Sequence, residues 1–176
     1  TASRLDLRKR LDLAIRAVAL THDKVPNLHF DIYGKGVEQE NLEQLIDDLG
    51  AGSYIHLRGH ANLQKIYPQY ELYVTTSQWE TFGLTLMEAA GAGLALVGFD
   101  ARYGNPTFIK DGENGYLVPY SETLDEDLLV SQMADKIVFA LESDLESMHR
   151  ASYDLAKQYL KPEILEAWRK LLIAIR

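Results

Sequence analysis

The chain predicts an α/β fold, a Rossmann-like parallel sheet with helices on both faces. Short apolar runs alternate with amphipathic stretches along most of its length, and that alternation is the signature of strand–helix–strand units in a parallel sheet. The run Leu94-Ala95-Leu96-Val97-Gly98-Phe99 is apolar without interruption, as a strand covered on both faces requires. With 176 residues and 47% hydrophobic content, one compact domain with a full core is expected.

Each element follows from its pattern. Leu5, Leu7, Leu11, Ala14, Ile15, Val18 and Ala19 recur at helical spacing and predict a first helix over 4–20. Leu28 to Tyr33 reads as a strand, ended by Gly34 and Gly36. A helix over 38–49 carries Leu42, Leu45, Ile46 and Leu49 on one face and stops at Gly50 and Gly52. Tyr54–Leu57 and Leu72–Thr76 are strands, separated by a short helix over 63–67 that ends before Pro68. A helix over 83–91 precedes the apolar strand 94–99. The turn Asp111-Gly112-Glu113-Asn114-Gly115 leads into a strand over 116–118. Helices over 124–142, 145–159 and 162–175 complete the chain. Arg4 stands where a strand should just have ended, so a first strand before Thr1 is expected to be missing or reduced to a stub. The unpaired sheet position this leaves favours self-association.

Composition excludes several classes. The net charge of −8 argues against a nucleic-acid binder, which needs a basic face. There is no cysteine, hence no disulfide, thiolate chemistry or cysteine zinc site. The five histidines show no metal-ligand spacing. No apolar run approaches the roughly 18 residues of a membrane span. Asp125-Glu126-Asp127 spells Asp-x-Asp but sits on a polar helical stretch, where it reads as a solvated face.

In parallel sheets of this type ligands sit at the carboxyl ends of the strands, where most of the distinctive residues fall. Glu80 precedes the helix over 83–91 and Glu88 lies within it, with Phe82, Gly83, Leu84 and Thr85 between them. A helix start presents unpaired N–H groups and partial positive charge, and Gly83 has no Cβ to keep a phosphate away. Glu88 shares a face with Leu84, so it could accept from ribose hydroxyls while Glu80 faces a sugar. The plainer alternative is two ordinary exposed acids. Arg4 and Lys9 belong to the same end of the sheet and could neutralise a diphosphate. Alternatively they form a solvated basic face with Arg8 and Arg10. Tyr33-Gly34-Lys35-Gly36 and Arg58-Gly59-His60 are turns after strands, where backbone could approach a ligand or simply reverse.

In order, Ser3-Arg4-Leu5 with Lys9, Tyr33-Gly34-Lys35-Gly36, Leu57-Arg58-Gly59-His60, Thr76-Ser77-Gln78-Trp79-Glu80-Thr81-Phe82-Gly83-Leu84, Glu88-Ala89-Ala90-Gly91-Ala92-Gly93 and Asp111 to Val118 resemble the C-terminal lobe of a retaining glycosyltransferase of family 4, a two-Rossmann-lobe (GT-B) enzyme. The resemblance covers nearly the whole chain. It implies that Arg4 and Lys9 bind the donor diphosphate and, with Glu80, carry catalysis. Glu80 would hold the donor sugar, Phe82, Gly83, Leu84 and Thr85 would line sugar and phosphate, and Glu88 would hold the ribose. Gly34, Gly36, Arg58, Gly59 and His60 would complete the donor site, with the base near 58–61.

The resemblance further implies no metal and no cofactor, the nucleotide-sugar being a substrate. Many family members carry a Glu shortly before the Asp-Gly-x-Asn-Gly turn, whereas this chain has Tyr103-Gly104-Asn105-Pro106-Thr107. That variant resembles the bacterial accessory-secretion N-acetylglucosaminyltransferases and the poly(glycerol-phosphate) glucosyltransferases. The expected partners are therefore a UDP-sugar and a protein or cell-wall polymer acceptor, met through an N-terminal lobe beyond this chain. Residues 1–176 are expected to form one nucleotide-sugar-binding domain, with the helices of 145–176 packing on it. The expected setting is the cytoplasm, with peripheral membrane association of the longer protein. A sugar-nucleotide epimerase and a non-catalytic stabilising lobe are the alternative readings.

Overall fold

The structure is a computed structural model that describes residues 1–174. Strand β1 (Phe30–Tyr33) pairs in parallel with β2 (Ile55–Gly59). Strands β3 (Leu72–Thr75), β4 (Ala95–Phe99) and β5 (Gly115–Val118) form a second parallel set with β4 in the middle. The sheet is thus interrupted between β1 and β3. Thr1 to Ser3 lies in the gap. Tyr33 N–H donates to Thr1 O and Ser3 N–H to Tyr33 O, while the Tyr73 hydroxyl of β3 donates to Ala2 O (2.9 Å). A side chain, not a backbone ladder, closes the seam.

Two apolar layers sandwich the strands. Val74, Val97 and Phe99 turn to one side, toward α1 (Leu11–His22) and α6 (Glu126–Glu142), and meet Leu13, Ile15, Met133 and Ile137. Tyr73 and Leu96, one residue out of phase as the strand period demands, turn to the other side. There they meet Leu86 and Ala89 of α4 (Leu84–Gly91) and Phe108 of α5 (Gly104–Phe108). Helix α2 (Gln39–Asp48) covers β1 and β2 with Leu42 and Ile46, and α3 (Leu63–Ile66) leads into a 3-10 turn over Tyr67–Gln69. Helix α7 (Leu145–Lys157) packs along α4. Helix α8 (Lys161–Ala174) stands apart, with Leu165, Trp168, Leu171 and Leu172 exposed. The predicted end of that helix at 175 lies outside the described residues.

One expectation needs correction. The first helix does not run unbroken over 4–20. It is a single 3-10 turn, Leu7–Lys9, followed by Arg10 in the left-handed region (φ 44°) and only then α1. Asp6 accepts from Arg8 N–H and so caps the turn, while Arg10 N–H returns to Leu7 O. The segment 104–108, to which the sequence pattern assigns no element, forms the short helix α5.

On β1, Asp31 accepts from the Tyr70 hydroxyl (2.5 Å) and from Arg58 Nε (2.8 Å), and Tyr33 and Tyr70 hydroxyls lie 2.8 Å apart. Burial pushes the Asp31 carboxyl up, but these hydrogen bonds and the charges of Arg58 and His56 together hold it below the usual range. A depressed carboxylate stabilises the fold above its unfolded pKa, and that contribution is lost as pH falls through the folded value. Asp31→Asn is expected to cost about 1–3 kcal/mol at neutral pH. The gap from wild type should narrow below about pH 4, as read by urea unfolding at several pH values. A gap independent of pH would mean that the charge is not what stabilises.

Candidate functional site

The site gathers at the carboxyl end of the strands, where three loops meet. The first is the segment 3–9. Gly34 and Gly36 let it approach β1. A Cβ on Gly34 would lie 1.8 Å from Ser3 O, and one on Gly36 would lie 2.1 Å from Leu5 O. Leu5 N–H donates to Lys35 O and Glu38 N–H to Leu5 O. These glycines therefore act first on the protein's own backbone, fixing the stretch that carries Arg4.

The second loop, 76–83, leaves β3 and is sewn to the first. Gln78 N–H donates to Arg8 O, and Thr76 Oγ1 donates to Lys9 O (3.0 Å). Lys9 Nζ reaches Glu80 Oε2 at 2.6 Å, with the side chains only 17% and 20% exposed. Glu80 is fixed in turn by the third loop, 100–104. Its N–H donates to Arg102 O, and its carbonyl accepts from Tyr103 and Gly104 N–H. Gly104 is required there, since a Cβ would lie 2.5 Å from Phe82 O and 2.8 Å from Glu80 Cγ.

Helix α4 begins at this junction. Gly83 is its N-cap in the left-handed region (φ 88°), no side chain caps the first turn, and no acid stands in it. The partial positive charge of the helix start is thus left without an internal partner. The Tyr73 hydroxyl, whose proton goes to Ala2 O, accepts from Thr85 Oγ1 (3.0 Å), which orients the first turn against Ala2. Burial, above all, raises the Tyr73 hydroxyl pKa, so it remains a neutral donor.

Two hollows result. A cleft of ≈ 390 Å³ is lined by Arg4, Gly34, Lys35, His60, Ala61 and Thr85 among others. A more polar groove of ≈ 470 Å³ is lined by Arg4, Arg8, Lys9, Trp79, Glu80 and Glu122 among others. Arg4 borders both. Its side chain is exposed and lies 3.5 Å from Asp6, free to swing toward an anion. Arg4, Lys9, Glu80 and the start of α4 are thus brought together.

The remaining candidates are placed less uniformly. Phe82 packs edge-on against Phe108 (5.3 Å) and Tyr159 (6.2 Å) while staying partly exposed, and Leu84 is exposed. Glu88 is exposed on α4, and its charge reaches the Tyr67 hydroxyl, whose pKa burial and then Tyr73 and Glu88 raise. Gly59 ends β2 in the left-handed region (φ 70°). Arg58 is engaged by Asp31, and it is His60 and Ala61 that line the cleft. Sequence reasoning missed the clamp by Arg102, Tyr103 and Gly104. The one signal was Gly104, in a stretch with no turn signature.

A family model described as "Glycosyl transferases group 1" matches residues 1–156. The chain belongs to the group 1 glycosyltransferases. It corresponds to the C-terminal region of their two-lobed architecture. It is 47% identical over 177 residues to the "UDP-N-acetylglucosamine–peptide N-acetylglucosaminyltransferase GtfA subunit" of Streptococcus gordonii, covering 100% of this chain and 35% of that protein. Over 173 residues it is 33% identical to the "Poly(ribitol-phosphate) alpha-N-acetylglucosaminyltransferase" of Staphylococcus aureus, covering 96% of this chain and 34% of the other. The crystal structure of the pneumococcal O-GlcNAc transferase GtfA in complex with UDP and GlcNAc superposes with a TM-score of 0.93 at 48% identity, covering 99% of this chain and 35% of that one. The chain spans about a third of the length of these relatives.

The glycine contacts can be checked by unfolding. Gly36→Ala and Gly104→Ala are each expected to destabilise the fold by about 1–3 kcal/mol, because backbone atoms must move. Gly52→Ala, which faces open space, should be near neutral. Equal effects at all three would mean that the close approaches are not what these positions require.

Proposed function

We propose that this chain is the donor-binding lobe of a retaining hexosyltransferase of family 4. The longer protein would move N-acetylglucosamine, or glucose, from a UDP-sugar to a serine or threonine hydroxyl of a protein. The single observation that carries the reading is that Arg4 borders both the groove walled by the Lys9–Glu80 pair and the cleft walled by Thr85 of the uncapped first turn of α4. A diphosphate needs cations and amide donors; a sugar hydroxyl needs a fixed carboxylate. Both stand here within a few residues. The GtfA and wall-polymer relatives support the class. A wall-polymer acceptor is the second reading, favoured by the 33% identity to the poly(ribitol-phosphate) enzyme.

In this reading the acceptor oxygen bonds to the anomeric carbon as the bond from that carbon to the diphosphate oxygen breaks. The electron pair leaves with UDP, and the acceptor proton passes to a departing phosphate oxygen on the same face of the sugar. Arg4, Lys9 and the α4 amide groups stabilise the charge that develops on the diphosphate. Glu80 orients the sugar and Glu88 the ribose, while His60 and Ala61 face the base. These cations and dipoles supply the neutralisation a metal would otherwise give, so the reaction is proposed to be metal-independent. The proposed setting is the cytoplasm.

In the full-length protein, Lys9→Ala and Glu80→Gln should each lower kcat/KM for UDP-N-acetylglucosamine by about 100-fold. The double variant should lose far less than the product, because the two groups touch. Additive losses, or an untouched rate in Glu80→Gln, would overturn the assignment. The isolated 176-residue chain is expected to bind UDP weakly by calorimetry and to transfer nothing.

A further inference from the structure

Asp6 meets two arginines of the groove with one carboxylate. Its Oδ1 accepts from Arg8 N–H at 3.1 Å and caps the turn Leu7–Lys9. Its Oδ2 lies 3.5 Å from an Arg4 guanidinium nitrogen and 3.4 Å from one of Arg8. The backbone therefore fixes the acid, while the two cations reach it from the end of long, solvated stems. The Asp6 side chain is 21% exposed, against 74% for Arg4 and 67% for Arg8. Both arginines line the groove beside Lys9 and Glu80, whereas Asp6 lines neither that groove nor the cleft.

The groove thus holds ion pairs of two kinds. Lys9 and Glu80 close to 2.6 Å and are largely shielded from water. The contacts of Arg4 and Arg8 with Asp6 are longer and open to water, and pairs of that kind exchange readily. One carboxylate balances only one of two guanidinium groups, so positive charge is left over to draw in an anion. A diphosphate offers several oxygens to a guanidinium fork, where Asp6 offers the single Oδ2. The two acceptors compete for the same cations, and the looser contact is the one that gives way.

We infer that Asp6 is a positioning residue: it rests Arg4 and Arg8 at the edge of the groove and weakens phosphate binding by competing for them until a diphosphate takes them over. This rests on the proposed donor-binding reading and deepens it, naming a residue that sets the affinity of that site from outside it.

The test is calorimetry on the full-length protein with uridine, UDP and inorganic pyrophosphate. Asp6→Asn keeps a side-chain oxygen for Arg8 N–H, so the turn stays capped and only the charge is lost. UDP and pyrophosphate should bind the variant about two- to fivefold more tightly than wild type, the range of an exposed ion pair. Uridine, which carries no phosphate, should bind both proteins equally. The gain should shrink as salt is raised and vanish when Arg4→Ala and Arg8→Ala are already present. A merely structural role for Asp6 would move uridine and UDP together, and that result overturns the inference. Unchanged or weaker UDP binding to Asp6→Asn overturns it too, as does a gain that survives without the two arginines. Should wild type bind pyrophosphate but not UDP, the donor reading fails, and pyrophosphate alone decides the role of Asp6 by the same comparison. Pyrophosphate bound by neither protein overturns the inference.

Discussion

The contact between Lys9 and Glu80 joins positions 71 residues apart and sets the shape of everything around it. A half-buried ion pair costs desolvation on both partners and is kept only where geometry is good. Here geometry is supplied by backbone. Thr76 and Gln78 hold the turn that bears Lys9, and the 100–104 loop holds Glu80. Removing either charge would strand the other in a poorly solvated place. In the proposed reading, an incoming phosphate and an incoming sugar hydroxyl each take over one partner of the pair.

The second constraint is steric. Chain segments cross at the carboxyl end of the sheet closer than side chains allow, and glycine makes room each time. Gly34 and Gly36 admit the Ser3–Leu5 backbone, and Gly104 admits Phe82. Arg4 and Glu80 owe their positions to these crossings. The glycines near the site thus act at one remove, by setting where the cations and the acid stand. The tyrosine hydroxyls do the same for the seam between β1 and β3, where Tyr73 bonds both Ala2 and Thr85.

Much of this was legible in the residues. The strands and the two-faced burial follow from the period of Leu72–Thr75 and the unbroken apolar run before Phe99. The Glu80–Glu88 segment announced a helix start beside an acid, and Arg4 and Lys9 announced cations nearby. What could not be read was tertiary. The break at Arg10 depends on Asp6 capping the turn and on carboxylates from other elements, none of which a helical period registers. Helix α5 contains Gly104 and Pro106, so local signals spoke against it; contact with Phe82 and Glu80 overrides them. Arg58 looked like a ligand residue because it follows a strand, but Asp31 on the adjacent strand engages it. The clamp on Glu80 uses only main-chain atoms, which no side-chain pattern reports.

Arg10 carries a further implication. A non-glycine residue in the left-handed region is held there at a cost of about 1–2 kcal/mol, and here the hold is electrostatic. Its guanidinium lies 2.9 Å from Asp12 and 2.5 Å from Glu126, and the hydrogen bonds and charges of these two carboxylates, Asp12 first, raise its pKa against the opposing effect of burial. The joint that aims Lys9 is therefore fastened to the start of α6, 116 residues further along the chain. Strong salt would loosen that fastening as well as screen the exposed cations of the groove, making ionic strength an adjuster of how firmly the site is held open.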